Sequence, residues 1–355
     1  MSTSAAATGT TTSTGKQDLV TIREGSEENS IPTFKLASGY EMPVVAYGTF
    51  RSNPGEVYDC IMNAIKIGYR HFDCAHVYGN EKEIGKAFND AIFGAQKLVT
   101  RDELFITGKL WNSDHGTDIV SKACDYSLNN LGIDYFDLYL IHFPIAWKHT
   151  GIDTPGWGQS ELDNDTSLID TWREMEKLVA SKKCRSIGVS NYPLLLLHDL
   201  TCQANVPVSC NQIETHVYYQ RESLINYCLS RNICVTAHTP LGGGNANEVW
   251  TNSSSPIDDP IVKEIAAGKE NKNVTPAQVL LRFLLQSGVV VLPKSIKTSR
   301  MEENITLFGM NLSDDEMNKL RTLDKCVSYK TNPNPLESFI GGPDCFTDNG
   351  TDIFD

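Results

Sequence analysis

Short apolar runs alternate with longer amphipathic segments from about residue 33 onwards. The short runs, such as HFDC, LFITGKL and FDLYLIHF, hold few polar residues, which is typical of strands buried on both faces of a parallel sheet. The longer segments place apolar residues three or four positions apart, as one face of a helix requires. Eight apolar runs are each followed by such a segment, so the sequence predicts an α/β fold.

The same pattern gives the bounds of the predicted elements. Helices are predicted over residues 54–68, 80–93, 117–131, 167–183, 193–204, 221–231, 261–270, 274–287 and 299–308, with a last helix from Ser313. Eight strands joined by helices fit a closed (β/α)8 TIM barrel. A doubly wound sheet would also fit this alternation, but no GxGxxG or GxxxxGKS/T motif follows an early strand. The barrel is therefore favoured.

Two N-terminal segments differ from the repeating units. The stretch TFKLASGYEMPVV predicts a hairpin ahead of the barrel, with Ser38 and Gly39 in its turn. Residues 1–15 are almost entirely Ser, Thr, Ala and Gly, which is too little apolar mass to fold. We expect residues 1–30 to be a disordered tail and residues 31–355 to form one barrel domain.

Three segments are too long to be simple connections. Residues 142–166 and 240–260 follow the fourth and seventh predicted strands, so they are loops on the C-terminal face of the barrel. A barrel carries its functional residues on that face. We expect these loops to bind a ligand, and residues 326–355 to cover the same mouth.

Composition narrows the class of protein. The chain has 355 residues and a net charge of −13 at pH 7, which disfavours nonspecific binding to nucleic acid. No apolar run reaches the roughly 18 residues of a bilayer span. Ten cysteines include no CxxC pair, which indicates buried thiols in a reducing compartment. We expect a cytoplasmic monomer or weak homodimer whose partner is a small molecule.

Four polar residues stand at or just after the ends of consecutive predicted strands, where parallel neighbours would bring them together. They are Asp73, Tyr78, Lys109 and His142. A tyrosine needs a nearby cation to act as an acid at neutral pH, because its ordinary pKa is near 10. Lys109 would supply that charge and Asp73 would hold it, while His142 would orient a carbonyl oxygen. The set suits protonation of an oxyanion formed by hydride attack. Taken singly, each residue also has an ordinary structural explanation.

A second set of polar residues follows the last predicted strand, in LPKSIKTSRMEEN. Lys294, Ser295 and Arg300 bracket the start of a helix, where two cations, a hydroxyl and backbone N–H groups can bind an anion. Arginine offers the bidentate geometry that suits a phosphate. The alternative is an ordinary basic helix start, which the charges alone do not exclude.

The chain resembles the aldo-keto reductases. The motifs HFDCAHVYGNE, GKLW, LIHFP, GVSN, NQIE, HTPLG and LPKSIKTSRMEEN occur in that family's order between about Thr33 and Tyr329. The resemblance implies a barrel reductase that uses NADPH and no metal, and it matches the four strand-end residues to the catalytic tetrad. It implies nicotinamide-side roles for Gly48, Thr49, Ser190, Asn191, Gln212, His238 and Leu241. It implies adenosine and 2′-phosphate contacts for Lys294, Ser295, Arg300, Glu303 and Asn304.

The expected substrate follows from the same comparison. His238 stands where many members have a tyrosine that stacks on the nicotinamide, and AHTPLGG and WKHTG resemble plant hexose-6-phosphate reductases. Gly79 follows the candidate catalytic tyrosine where those enzymes tend to have a basic residue. Lys148 and His149 could bind a phosphate instead, so a sugar phosphate, a free aldose and another carbonyl compound all stay open.

Aromatic residues are expected to line the pocket. They are Phe50, Trp111, Phe143 and Trp147, with Lys148 beside them. The predicted function is NADPH-dependent reduction of an aldehyde or aldose to the alcohol. One alternative is a regulatory module of the same fold that senses its cofactor with little turnover. Another is a metal-dependent barrel hydrolase or lyase, which the pairing of Lys109 with Asp73 would oppose.

Overall fold

The computed structural model describes residues 31–52, 55–153, 161–243, 255–269 and 273–326. The predicted tail over residues 1–30 lies outside these ranges. So does the segment from residue 327 that was expected to cover the mouth, together with parts of both long loops. The structural statements that follow concern the described ranges.

The N-terminal hairpin is confirmed. Strand β1 (Thr33–Lys35) pairs antiparallel with β2 (Glu41–Pro43), with Phe34 opposite Met42. The chain reverses at Gly39, whose φ of 91° lies in the left-handed region that favours glycine. Phe34 and Met42 are both buried and belong to the main core. The hairpin is therefore packed against the rest of the molecule by apolar side chains.

Eight parallel strands form the central sheet, and each is a neighbour of the next in chain order. They are β3 (Tyr47–Gly48), β4 (His71–Asp73), β5 (Phe105–Leu110), β6 (Phe136–Ile141), β7 (Cys184–Ser190), β8 (Cys210–Glu214), β9 (Cys234–His238) and β10 (Val289–Val291). The Ala46 N–H donates to the Val291 carbonyl at 2.9 Å, and the Val291 N–H donates to the Val44 carbonyl at 3.0 Å. These bonds connect the two ends of the strand order, which is consistent with the predicted (β/α)8 barrel.

The helices follow the strands along the chain, as the apolar spacing predicts. They are α1 (Val57–Ile67), α2 (Glu81–Phe93), α3 (Val120–Leu131), α4 (Leu168–Ala180), α5 (Leu194–Gln203), α6 (Glu222–Ser230), α7 (Pro260–Ala267), α8 (Pro276–Gln286), α9 (Thr298–Ile305) and α10 (Asp314–Arg321). Most ends fall within three residues of the prediction. The last helix begins after Ser313, whose hydroxyl accepts from the Glu316 N–H in a capping box.

The parallel sheet determines where the polar residues meet. Every strand of β3–β10 runs in the same direction, so all the carboxyl ends lie at one rim. Asp73 ends β4, Ser190 ends β7, and Lys109 stands one residue before the end of β5. His142 directly follows β6. This rim carries the candidate site.

Two expectations from the composition concern membrane-spanning helices and cysteines. None of the helices in the described ranges combines the length and apolar character that a bilayer crossing requires. No two cysteines in these ranges are joined by a disulfide, although Cys124 and Cys184 bring their sulfur atoms to 4.0 Å in the core. Of the nine described cysteines, seven are buried as expected, whereas Cys202 and Cys326 are exposed.

Candidate active site

A lysine, an aspartate and a tyrosine form the centre of the site. Lys109 Nζ donates to Asp73 Oδ2 at 2.6 Å and lies 3.2 Å from the Tyr78 hydroxyl oxygen. Lys109 and Asp73 are buried, whereas Tyr78 is partly exposed. The ammonium is thus enclosed between a carboxylate and a phenol, and the phenol is accessible from the rim.

The electrostatics of this group differ in one respect from the expectation. Burial raises the pKa of Tyr78 to about 12, although the Lys109 charge acts in the opposite direction. Burial alone would lower the pKa of Lys109, but the nearby Asp73 and Tyr78 raise it above its ordinary value. The lysine therefore stays charged. The lysine offsets part of the burial effect on the tyrosine instead of lowering its pKa below 10.

Further contacts hold the carboxylate and the ammonium. The Gln212 amide donates to Asp73 Oδ1 at 2.8 Å, so both carboxylate oxygens have a partner. Thr49 Oγ1 donates to the Asp73 carbonyl at 2.8 Å, and Asn80 Nδ2 donates to the Thr49 carbonyl at 3.0 Å. Lys109 Nζ also lies 3.2 Å from the Cys74 carbonyl. The sequence indicated neither of the contacts made by Asn80 and by the Cys74 carbonyl. In both, the acceptor is a backbone carbonyl, which cannot be recognised from the type of residue.

Tyr78 occupies a short 3-10 turn (His76–Tyr78) directly beyond β4. Gly79 ends this turn with a φ of 70°, a left-handed conformation that a side chain would strain. A basic residue in place of Gly79 would therefore carry a backbone cost here. The local backbone gives a structural reason for the glycine that the sequence comparison does not.

His142 also lies next to the phenol. The centroids of the Tyr78 and His142 rings are 5.9 Å apart, with the rings nearly perpendicular. The His142 ring stacks on Phe143 and meets the edge of Trp111 at 5.1 Å. The Asn191 side-chain amide donates to the His142 carbonyl at 2.9 Å. The four strand-end residues predicted from the sequence are thus brought together.

The polar residues at the ends of β7 to β9 form one network beside this centre. Ser190 Oγ donates to the Gln212 carbonyl at 2.9 Å, and Asn191 Nδ2 lies 3.0 Å from Ser190 Oγ. His238 Nε2 lies 3.0 Å from Asn191 Oδ1. Leu241, three residues after His238, is half-buried and packs against the main core. Ser190, Asn191, Gln212 and His238 therefore act as one connected group.

Aromatic side chains line the rim next to Tyr78. Phe50 lies 4.9 Å from the Tyr78 ring centroid and is 42% exposed. Trp147 meets the edge of Trp111 at 5.6 Å and is buried in a small apolar cluster that also contacts Phe143. The four predicted wall residues thus lie together around the phenol.

The two basic residues considered for a substrate phosphate have other partners. Lys148 forms a 2.5 Å ion pair with Glu161, and both side chains are largely exposed to solvent. His149 Nδ1 lies 3.0 Å from the Ser113 carbonyl and 3.1 Å from Asp114 Oδ1. The Lys148 ammonium is therefore already paired with a carboxylate, and His149 is directed toward buried polar groups.

The basic segment after β10 lies beside the first strand of the sheet. The Gly48 N–H donates to the Pro293 carbonyl at 3.2 Å, and the Tyr47 hydroxyl donates to the Ser295 carbonyl at 2.7 Å. Lys294 Nζ donates to the Arg51 carbonyl at 3.0 Å. Burial lowers the pKa of Lys294. The loop that carries Lys294 and Ser295 is thus fixed at the same rim as the Tyr78 centre.

Helix α9 continues from this loop. Arg300 is exposed in its first turn, and Asn304 is buried one turn later. The Glu303 carboxylate accepts a short hydrogen bond from Thr275 Oγ1 and is only partly exposed. Arg300 is therefore open to solvent, whereas Glu303 already has a protein partner.

The described residues include no group of three or more His, Cys, Asp or Glu side chains arranged to hold a metal ion. At the rim, Lys109 and Gln212 donate to the two oxygens of the Asp73 carboxylate. The donor set at this centre is therefore that of an ion pair with an adjacent phenol.

Comparison with known proteins agrees with this arrangement. The model of the aldo/keto reductase family matches residues 44–325. The chain is 44% identical over 304 residues to an NADP-dependent D-sorbitol-6-phosphate dehydrogenase of Malus domestica, covering 84% of this chain and 95% of that protein. It is 41% identical to an NADPH-dependent D-xylose reductase of Meyerozyma guilliermondii, covering 81% of this chain and 93% of the other.

One solved structure is similar to this chain in both fold and sequence. The aldose reductase of Schistosoma japonicum is 41% identical and has a TM-score of 0.74, covering 82% of this chain and 91% of that one. The resemblance stated from the motifs is thus confirmed over most of the described length. The chain is an oxidoreductase that belongs to the aldo/keto reductase family.

Proposed function

We propose that this protein reduces the carbonyl group of an aldehyde or aldose to an alcohol, with NADPH as the cofactor. The observation that carries the proposal is the 3.2 Å contact between Lys109 Nζ and the Tyr78 hydroxyl at the rim of the sheet. A phenol next to a charged ammonium is a suitable donor for an alkoxide that forms from a carbonyl.

Each residue of the centre then has a chemical task. The Tyr78 hydroxyl donates its proton to the carbonyl oxygen as that oxygen gains negative charge. The Lys109 ammonium stabilises the resulting phenolate, and Asp73 keeps the ammonium charged and in place at 2.6 Å. The His142 ring, facing the phenol at 5.9 Å, orients the same oxygen. These roles account for all four residues.

The residues at the ends of β7 and β8 suit a nicotinamide carboxamide. Gln212 donates from Nε2 to Asp73, which fixes its amide orientation and leaves the amide oxygen to accept an N–H group. Asn191 Oδ1 has a second lone pair for the same purpose. NADPH, when bound, supplies the hydride that reaches the carbonyl carbon. The amide set lies beside Asp73 and His142, so the chain can hold a carboxamide next to the reacting group.

The other end of the cofactor would contact the loop after β10 and the first turn of α9. Lys294, Ser295 and Arg300 would bind the 2′-phosphate, with Asn304 and Glu303 toward the adenine. Two cations at a helix start fit a phosphate group. The relatives from Malus domestica and Meyerozyma guilliermondii are named for NADP and NADPH, which supports the same preference here.

Replacing Arg300 with alanine should weaken NADPH binding about 10- to 100-fold, because a hydrogen bond to a charged group contributes roughly 1.5–3 kcal/mol. NADH lacks the 2′-phosphate, so its dissociation constant should change less than about twofold. Both constants can be measured by quenching of protein fluorescence. Lys319→Ala, which removes an exposed cation on α10, serves as the control. Equal weakening of both cofactors would show that Arg300 does not read the 2′-phosphate.

The substrate class has two main candidates, a hexose phosphate and a free aldose. Similarity to the Malus domestica protein supports the first, and similarity to the xylose reductase supports the second. The Lys148–Glu161 ion pair weakens the case for Lys148 as a phosphate ligand. The aromatic wall of Phe50, Trp111 and Trp147 suits the apolar face of a sugar ring in either case.

Oxidation of NADPH with a panel of carbonyl compounds tests the proposed function. The panel holds mannose 6-phosphate, glucose 6-phosphate, xylose, glyceraldehyde and an aromatic aldehyde. We expect at least one aldose or aldose phosphate to be reduced, and the ratio of kcat/KM values to identify the class. Tight NADPH binding with no oxidation across the panel would contradict the proposal. That result would favour the alternative, a cofactor-sensing module with little turnover.

We also propose that the protein works in a reducing compartment. The absence of disulfides among the described cysteines supports a reducing compartment such as the cytoplasm. We propose a monomer or weak homodimer that acts on a small molecule.

A further inference from the structure

His238 ends β9 and connects to the centre of the site through Asn191. His238 Nε2 lies 3.0 Å from Asn191 Oδ1, and Asn191 Nδ2 lies 2.9 Å from the His142 carbonyl. On its other side, His238 Nδ1 lies 3.2 Å from Thr239 Oγ1. The imidazole is thus one side chain away from His142, whose ring faces Tyr78.

The directions of these hydrogen bonds follow from one fixed acceptor. A carbonyl oxygen only accepts, so the group that Asn191 presents to the His142 carbonyl must be its NH₂. Asn191 therefore presents its oxygen to His238, and Nε2 of the imidazole must carry a proton. In the neutral ring, Nδ1 then accepts from the Thr239 hydroxyl. Protonation of Nδ1 would add a charge without breaking the bond to Asn191.

The backbone on both sides of this contact is held in an uncommon conformation. Asn191 has a φ of 61° and Thr239 a φ of 58°, both in the left-handed region. Asparagine tolerates this region, but a β-branched threonine rarely adopts it. Such conformations persist where the surrounding contacts fix them, and they cluster at functional sites. The hydrogen bond between His238 and Asn191 thus joins one of these residues to the direct neighbour of the other.

We propose that His238 is a positioning residue that fixes the Asn191 amide, and that its protonation makes the site favour the reduced cofactor over the oxidised one. The inference rests on the proposed use of a nicotinamide cofactor. Asn191 is one of the groups suited to hold the carboxamide, so a charge on its hydrogen-bond partner lies close to the nicotinamide ring. The oxidised ring is positively charged and the reduced ring is neutral. An imidazolium therefore repels only the oxidised form.

Two titratable residues near His238, Glu214 and His142, act on its charge in opposite directions. Glu214 is opposite His238 in the register of β8 and β9, and it lies 3.1 Å from His216 Nε2. His142 contributes a second imidazole from the end of β6. Glu214 favours the charged form of His238, whereas a charged His142 would oppose it. Histidine is the side chain whose ordinary pKa lies closest to neutral pH, so we expect the cofactor preference to change with pH in that range.

The experiment measures the dissociation constants of NADPH and NADP⁺ by fluorescence quenching between pH 6 and pH 8.5. The ratio of the two constants is the readout, because the 2′-phosphate titrates equally in both cofactors and cancels. The wild type is compared with His238→Gln, which keeps a neutral N–H donor, and His238→Phe, which keeps a ring without a donor. His198→Gln on α5, where the imidazole contacts Tyr227, is the remote control.

In the wild type, NADP⁺ should weaken relative to NADPH on acidification by a factor on the order of five, as expected for two charges in a partly screened site. The ratio should be constant with pH in His238→Gln and change as in the wild type in His198→Gln. At pH 8.5, the positioning role predicts that His238→Gln binds both cofactors more tightly than His238→Phe does. His238→Phe should bind both about three- to tenfold more weakly than the wild type, since it loses a hydrogen bond.

Several outcomes would overturn the inference. A constant ratio in the wild type, or the same pH dependence in His238→Gln, would remove the role of the charge. Wild-type affinity in His238→Phe would remove the positioning role. If neither cofactor binds the wild type, the proposed function fails with it. If both bind and the ratio is constant, only this inference fails. Thermal melting of each variant verifies folding, and His238→Gln alone decides the charge if His238→Phe does not fold.

Discussion

Tyr78→Phe is expected to lower turnover about 10³-fold and to leave NADPH binding within about twofold of the wild type. General acid catalysis contributes roughly 10²–10⁴-fold, and this change removes the hydroxyl that lies 3.2 Å from Lys109 Nζ. The aromatic ring that contacts Phe50 and His142 is kept, so the shape of the pocket should be preserved. Steady-state kinetics with the best substrate of the panel and a separate binding titration give the two values.

Tyr135→Phe is the matched control, because it removes a tyrosine hydroxyl at the opposite end of the same sheet. Tyr135 directly precedes β6, and its hydroxyl donates to Asp102 at 3.1 Å in an exposed position. We expect its turnover to match that of the wild type. Normal turnover in Tyr78→Phe would show that another group supplies the proton. Loss of NADPH binding in that variant would make the kinetic result a consequence of binding.

Lys109→Met should also remove most of the activity, by roughly 10²–10³-fold, and it should destabilise the protein. Removing the ammonium raises the cost of a phenolate at Tyr78, because the charge 3.2 Å away is lost. The change also leaves the buried Asp73 carboxylate without its partner, which costs about 3–5 kcal/mol in other buried pairs. Kinetics and chemical denaturation measure the two effects separately.

A double variant separates the catalytic effect from the loss of stability. Asp73→Asn combined with Lys109→Met removes both charges, so much of the free energy of unfolding should return. Turnover should stay low, since no cation stands beside the phenol. Recovery of turnover together with stability would contradict the electrostatic role, because the lysine would then act only by holding the fold.

The positions of three of the four central residues could be predicted because they depend on strand direction alone, whereas Tyr78 lies in a turn beyond β4. Asp73 and Lys109 lie at the ends of apolar runs, and His142 follows a third. Once these runs are parallel neighbours, their carboxyl ends must meet. Ser190 and Gln212, which lie on β7 and β8, were indicated by the family resemblance and not by this reasoning. Short apolar runs that alternate with segments of 3.6-residue periodicity thus indicate the architecture and the location of the site.

Other features depend on distances that a sequence does not contain. The pKa of Tyr78 depends on the balance between burial and a charge at 3.2 Å, and burial prevails in the structure. Lys148 meets Glu161 because Trp147 and Leu162 form an antiparallel bridge across a long loop. The two charges are 13 positions apart in the chain. This separation follows no helical or strand spacing, so the pair could not be predicted.

Direct titration of the Tyr78 hydroxyl tests the central claim, that the lysine charge makes this phenol a better acid. The absorbance of tyrosinate can be followed with pH in the wild type and in Lys109→Met. The chain has 13 tyrosines, so the same titration of the two corresponding Tyr78→Phe proteins is subtracted to isolate one group. We predict that Tyr78 ionises at a lower pH in the wild type than in Lys109→Met. Ionisation at the same pH in both proteins, or at a lower pH without the lysine, would contradict the account.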